Sequence, residues 1–353
     1  MSAARSLPDG ARPPLAGSAR TGPLRTGPVS TGPASTGSAS TGSASTGSAS
    51  TGPALAELAL ARAEVDRAAH LRTDETWLSA SWANPRSKVL VVERGRVLCD
   101  MGVELARLVF VPPDRAPVGV RFLLGVDHEG VVYFGVAGAL PDPPRETVRP
   151  VPLREAGPLL SDRDAGLMTH AVAVGNWHET FTHCPRCGSL TDPILSGHAR
   201  KCPVDGSEHF PRVDPAMIVL VTDDEDRCLL ARNAMWPERR VSVLAGFVEA
   251  GESAEQAVTR EVHEETSITV GSVTYLGSQP WPMPQSLMLG FRTQAVGDTD
   301  IRVDDDEIAE AHWFSRDDLR SAVESGDLLL PPPVSIAHRI IESWYGGPLP
   351  GSW

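Results

Sequence analysis

The sequence predicts an α/β protein in three folded parts: an N-terminal α+β domain, a cysteine ribbon, and a C-terminal domain of strands around one acidic helix. Three observations predict it. Short apolar runs bounded by Gly, Pro and Asp recur through residues 87–136 and again through 216–295, the pattern of strands and turns. Cys184, Cys187, Cys202 and Asp205 stand at the spacing of two metal-binding knuckles. Residues 246–268, GFVEAGESAEQAVTREVHEETSI, join a glycine-containing turn to a helix bearing three closely spaced glutamates.

At 353 residues the chain is long enough for two or three small domains. Its net charge of -13 and pI near 5.2 argue against a broad nucleic-acid-binding surface. Residues 1–53 repeat a Thr-Gly pair every five positions from Thr21 to Thr51, filled with Ser, Ala and Pro. Too few apolar groups are present there to offset chain entropy, so a disordered tail is expected. The tail holds Arg5, Arg12, Arg20 and Arg25 against Asp9, a local +3, which leaves -16 on the rest of the chain. No apolar run approaches the roughly 20 residues that span a bilayer, and no hydrophobic segment near the start reads as a secretory signal. Membrane insertion is not expected. Five cysteines, three of them clustered, suit a reducing compartment and a metal site better than a disulfide framework, so a cytoplasmic location is expected.

The N-terminal α+β domain is expected over residues 54–180. Its first part, 54–71, is Ala/Leu-rich and predicts a helix. Strands follow at 87–92, 108–111, 118–126 and 131–136, then a helix over 159–181. The ribbon occupies 181–212. Two thiolate knuckles facing each other make a closed tetrahedral Zn²⁺ site, and here Asp205 takes the fourth place, with Glu208 and His209 close behind. Such a site is structural. The C-terminal domain covers 213–353, with strands at 216–222, 228–232, 241–245, 273–276 and 287–295 and a closing amphipathic helix over 335–345.

Within residues 246–268, Ser253 and Gln256 form a capping box that starts a helix near Ala254. Ala254, Val258 and Val262 then fall on one apolar stripe, with Glu261, Glu264 and Glu265 fanned beside it. Glu261 and Glu265 are like charges four apart, which weakens a helix unless a cation sits between them. Mg²⁺ or Mn²⁺ supplies that charge and prefers carboxylate oxygens. The stretch resembles the Nudix box, G-x5-E-x7-R-E-U-x-E-E-x-G-U with U aliphatic. Gly246, Glu252, Arg260, Glu261, Val262, Glu264, Glu265 and Ile268 stand in register, and Ser267 replaces the second glycine. Serine accepts a left-handed helix end less readily than glycine, so a local backbone adjustment is expected there. The order of strands and box helix resembles the Nudix α/β/α sandwich.

A second motif follows at residues 278–286, SQPWPMPQS. Three prolines stiffen this stretch, Trp281 offers a flat face for an aromatic ring, and Gln279, Gln285 and Ser286 offer hydrogen-bonding groups. It resembles the signature of the NADH pyrophosphatase branch of the Nudix hydrolases, with Met283 where that branch usually has Phe. The branch also carries a zinc ribbon and an N-terminal domain, so the resemblance covers residues 75–345. It implies that Glu261 and Glu265 are the principal metal ligands, with Glu264 as ligand or general base, and that the Ala245 carbonyl and Glu307 also face the metal. It further implies that Gln279, Pro280, Trp281, Pro282, Met283, Pro284, Gln285 and Ser286 clasp a dinucleotide, with Phe210 stacking and Ala337 lining the site. Gly246, Glu252 and Arg260 would hold the geometry.

The implied reaction is metal-dependent hydrolysis of the pyrophosphate in NADH or NAD⁺ to a nicotinamide mononucleotide and AMP, extending to NAD-capped RNA 5′ ends. A homodimer is implied too. The competing readings are a Nudix hydrolase for ADP-ribose or a diadenosine polyphosphate, and a non-catalytic adaptor. An intact glutamate set argues against the adaptor, because a dead scaffold has no need to tolerate its repulsion.

Overall fold

In a computed structural model, Leu55 and residues 58–102, 104–303 and 307–351 are described. The repetitive segment 1–53 and the triplet Asp304, Asp305 and Asp306 lie outside the described residues. In chain order the helices are α1 (Glu75–Ala83), α2 (Leu153–Ala156), α3 (Asp162–Thr180), α4 (Ala254–Thr266), α5 (Arg316–Glu324) and α6 (Ile336–Tyr345). The N-terminal strands are β1 (Lys88–Val92), β2 (Arg96–Asp100), β3 (Arg107–Leu108), β4 (Val120–Val126), β5 (Val132–Ala137) and β6 (Val148–Pro152). The ribbon adds β7 (Asp192–Ile194), β8 (Ala199–Lys201) and β9 (Glu208–His209). The C-terminal strands are β10 (Asp214–Thr222), β11 (Cys228–Asn233), β12 (Leu244–Phe247), β13 (Thr274–Trp281), β14 (Ser286–Gln294) and β15 (Ile308–Phe314).

Two small sheets make the N-terminal part, ordered β1-β5-β4 and β3-β2-β6. The apolar runs of β1 and β5 are buried nearly throughout, which is why they read as continuous apolar stretches. Helix α3 begins at Ser161, whose side chain accepts from Asp164 N–H, and seals this core with Leu167, Met168, Ala171 and Val172. The helix expected over 54–71 does not form among the described residues. That stretch is a strap closed by one 3₁₀ turn, Ala69–Leu71. Leu58 is buried in the C-terminal core and Leu60 in the N-terminal core. Tertiary burial of alternate leucines on two sides overrides the helical propensity of the segment.

The C-terminal sheet runs β13-β14-β10-β11-β15, with β12 paired to β10. Side chains of β10 alternate: Met217, Val219 and Val221 pack with Val258 and Val262 of α4, while Ile218 and Leu220 pack with Ile336, Ile340 and Trp344 of α6. One strand thus faces a helix on each side, giving the α/β/α sandwich. Half of the Pro-rich motif is strand rather than loop, since Ser278–Trp281 extends β13 and Trp281 pairs with Ser286 across the hairpin.

Helix α4 keeps the predicted capping box: Gln256 N–H donates to Ser253 Oγ at 3.2 Å, and Ser253 N–H to Gln256 Oε1 at 2.9 Å. The backbone adjustment expected at Ser267 is absent. Ser267 itself takes the left-handed conformation (φ 61°, ψ 9°), and its N–H bonds the His263 carbonyl as a glycine cap would.

Candidate active site

Helix α4 lies across β12 so that its glutamates meet the strand that precedes the box. Gly246 is the point of closest approach. A Cβ there would sit 2.0 Å from Glu261 Cδ and 2.1 Å from its Oε1, so only glycine lets the Glu261 side chain lie against the strand. Ala245 pairs with Ile218 of β10 and borders the same cleft.

Arg260 holds the turn to the helix. Its guanidinium reaches both Glu252 oxygens at 2.8 and 2.9 Å and the Phe247 carbonyl at 2.9 Å, a forked arrangement that lysine cannot copy. This pairing holds the Glu252 carboxyl down at about 2. The same guanidinium lies 2.9 Å from Glu261 Oε1 and 3.0 Å from Glu264 Oε2.

Glu265 is set apart. It is 5% exposed and its Oε2 is buried without a hydrogen-bond partner. Burial, reinforced by Glu261, Glu307 and Glu264, pushes its carboxyl up to about 8. Burial also raises Glu261, opposed by Arg260. A buried, unpaired carboxylate surrounded by others is costly by itself and is the donor set a hard divalent cation takes. With Arg260 drawing in Glu261 and Glu264, the three carboxylates do not converge on one point as the ribbon ligands do. Glu264 is well exposed. Among the described acidic residues after position 303, Glu310 is held by Arg232 at 2.5 Å, and Glu307 acts on Glu261 and Glu265.

Glu265, Ala245 and Trp281 line one cleft of about 240 Å³, floored by Ile218, Met288 and Ile336. Trp281 is the only one of the eight motif residues on its wall. Gln279 departs from expectation: it is fully buried, accepting from Leu60 N–H at 3.1 Å and donating to the Val334 carbonyl at 3.0 Å, so its amide ties the strap to the C-terminal domain. Ala337 is 1% exposed and sits in the core beneath the cleft, whose lining comes from Ser335 and Ile336 instead. The carbonyls of Pro282 and Pro284 receive Asn176 Nδ2 from α3, Met283 packs on the N-terminal core, and Gln285 donates to Asp214 at 2.8 Å. Pro280 borders a different cavity. Phe210 is exposed beyond β9.

Sequence reasoning missed Arg154, Asn233, Trp236 and Ser242, which also line the cleft. The Arg154 guanidinium lies 5.3 Å from the Trp281 ring centroid, a cation–π distance that brings positive charge to the cleft Glu265 also lines. Arg154 belongs to the N-terminal domain and carries no motif, so only the fold brings it here.

In the ribbon, ligand atoms of Cys184, Cys187, Cys202 and Asp205 lie within 4.8 Å of one another. The two knuckles are built alike. Gly188 N–H bonds the Cys184 carbonyl at 2.9 Å and Gly206 N–H the Cys202 carbonyl at 3.0 Å, with φ of 74° and 70° at the two glycines. Arg186 N–H points to Cys184 Sγ and Asp205 N–H to Cys202 Sγ. Of the alternative fourth ligands, Glu208 pairs with Lys201, while His209 bonds Ser207 Oγ and acts on the Cys184 thiol from beside the cluster. The set fits tetrahedral zinc.

Three family models match in succession: an NADH pyrophosphatase-like rudimentary NUDIX domain over residues 86–177, an NADH pyrophosphatase zinc ribbon domain over 179–210, and a NUDIX domain over 212–331. The NAD-capped RNA hydrolases NudC of Mycobacterium bovis and Mycobacterium tuberculosis are each 44% identical over 300 residues, covering 79% of this chain and 92% of theirs. NAD-capped RNA hydrolase NUDT12 of Pongo abelii is 40% identical over 197 residues, 52% of this chain and 42% of that protein. A crystal structure of a NUDIX hydrolase from Nitrosomonas europaea aligns with a TM-score of 0.37 at 20% identity, covering 48% of this chain and 95% of that one. A cleft shared by Glu265 and the motif tryptophan stands beside a ribbon and a rudimentary second domain, and the Mycobacterium relatives match over nearly their whole length: the chain belongs to the Nudix hydrolases, in the branch of the NADH pyrophosphatases.

Proposed function

We propose that this enzyme hydrolyses the pyrophosphate of NADH and NAD⁺ to a nicotinamide mononucleotide and AMP, and that it removes NAD caps from RNA 5′ ends. The observation that carries the reading is Glu265, a buried carboxylate with an unpartnered oxygen in the same cleft as Trp281. Glu261, Glu265 and the Ala245 carbonyl would hold Mg²⁺ or Mn²⁺, with Glu307 completing the set. A cation there supplies charge neutralisation to the phosphoryl oxygens and acidity to water.

The chain's own groups do the rest. Trp281 stacks on a ring of the dinucleotide, and Arg154 balances phosphate charge at that end. Glu264, exposed to solvent, accepts the proton of the attacking water as its oxygen bonds to phosphorus and the bridging P–O bond breaks. Arg260 fixes the turn against the helix so that these groups keep their places. Cys184, Cys187, Cys202 and Asp205 hold a structural zinc. Exposed Leu190, Val204, Phe210 and Val213 in and beside the ribbon support a homodimer. Five free cysteines support a cytoplasmic setting. Among the described residues no helix is long and apolar enough to cross a membrane.

The test is product analysis with NADH, NAD⁺ and an NAD-capped transcript in turn. AMP and the matching mononucleotide are expected from the free dinucleotides, and a 5′-monophosphate transcript from the capped RNA. A higher kcat/KM for ADP-ribose than for any of the three would reassign the substrate.

A further inference from the structure

A second cavity lies behind the catalytic hairpin, between the strap and α3. It encloses about 80 Å³, the size of one tetrahedral oxyanion, and is bordered by Arg62, Arg67, Arg163, Thr169, His170 and Glu64, with Pro280 of β13 at its edge. Two of its groups have no partner in the protein, and one of them is buried. Thr169 is 4% exposed, and its Oγ1 is buried without a hydrogen-bond partner, although a helical threonine ordinarily returns its hydroxyl to a carbonyl of the preceding turn. Arg67, exposed to solvent at the edge of the cavity, makes no ion pair or hydrogen bond among the described residues, and partial burial lowers its pKa.

Charge accumulates in the same corner. Arg72 lies close enough to Arg67 for each to repel the other, its Nε is buried without a partner, and both arginines act on His170 and His198. His170 and His198 face each other with Nε2 atoms 3.1 Å apart, and burial holds both toward the neutral form. Arg62 is already occupied by Asp162 and by the carbonyls of Ala59, Gly157 and Leu160, so it serves as a wall. Arg163 gives only its Nε to Asp164, leaving its terminal NH groups for a ligand. Glu64, exposed at the rim, is the one opposing charge on the lining.

We propose that this cavity is a binding site for a phosphate-sized oxyanion, held by Arg67 and the terminal NH groups of Arg163, with Thr169 Oγ1 donating the hydrogen bond it otherwise lacks. An anion of this kind accepts from a buried hydroxyl and from forked guanidinium groups at once, which water does less well among several cations. The same chemistry is offered by free phosphate and by a phosphate monoester.

The experiment uses the full chain with its ribbon zinc retained and Mg²⁺ and Mn²⁺ removed by gel filtration, so that no added cation draws phosphate to the glutamates and the outcome is independent of the hydrolase reading. Inorganic phosphate is titrated against chloride at constant ionic strength, followed by calorimetry and thermal unfolding. Saturable one-to-one binding and a rise in Tm are expected. Arg67→Gln should weaken binding at least tenfold. Thr169→Val keeps the shape of the side chain and removes only the orphaned hydroxyl. It should therefore raise Tm in chloride while weakening phosphate binding several-fold, an outcome that misfolding cannot imitate. Displacement of phosphate by AMP assigns the site to monoesters, and phosphate binding untouched by AMP assigns it to the free ion. No saturable phosphate binding by the wild type, or wild-type affinity in both variants, overturns the proposal.

Discussion

Glu265→Gln should remove activity and yet stabilise the metal-free protein. Burial with three neighbouring glutamates pushes the Glu265 carboxyl up to about 8, against 4.5 in an unfolded chain. Between those values the folded state keeps a proton that the unfolded state releases. In EDTA the wild type is therefore most stable on this account below about pH 4.5, and the contribution is lost as pH rises through 8. At about 1.4 kcal/mol per pKa unit, the penalty is roughly 3 kcal/mol at pH 7 and approaches about 5 kcal/mol above pH 8. Glutamine carries no charge, so the variant escapes that loss, less about 1–3 kcal/mol for an amide with imperfect partners. Urea denaturation in EDTA at several pH values from about 5 to 8.5 measures the difference. The variant should gain on the wild type as pH rises, while kcat with saturating Mn²⁺ falls at least about 10²–10³-fold. A wild type whose stability is flat across that range, or a variant that loses ground at pH 8, would refute the reasoning.

Other substitutions test the frame around that group. Gly246→Ala drives a Cβ into the Glu261 carboxylate, 2.0 Å from its Cδ, so kcat/KM should fall about 10²-fold with the fold retained by circular dichroism. Arg260→Lys keeps the charge but loses the fork on Glu252 and the Phe247 carbonyl, and about a 10–100-fold loss of Mn²⁺ affinity or activity is expected. Ser267→Gly relieves a left-handed serine and should stabilise by about 0.5–1 kcal/mol in urea with unchanged kcat. Elemental analysis should find one zinc per chain, lost with a drop in Tm in Cys202→Ser and retained in Asp205→Cys.

Helix α4 was legible because three independent signals agree: the Ser253 and Gln256 cap, the valine stripe, and the glutamate spacing. The spacing could not say which glutamate is buried. On the helical wheel all three lie beside the apolar stripe, and it takes the tertiary packing to bury Glu265 while leaving Glu264 in water. The ribbon was legible for a similar reason, since a knuckle is a local structure closed within a few residues. What failed was long-range. Gln279 reads as a ligand group in a Pro-rich stretch, but Leu60 N–H, 219 residues earlier in the chain, takes its oxygen. The strap reads as a helix because its alanines and leucines favour one, whereas Leu58 and Leu60 are needed in two different cores. Arg154 could not be found at all without the approach of α2 to β13.

The most direct test of the account is a Mn²⁺ titration of the wild type in ¹⁸O-water with NADH as substrate, following cation binding and products together. Equal amounts of AMP and reduced mononucleotide should appear, rising in step with cation occupancy, with one ¹⁸O on a product phosphate. Product formed in EDTA at the same rate, or cation bound at the glutamates with no AMP released, would contradict it.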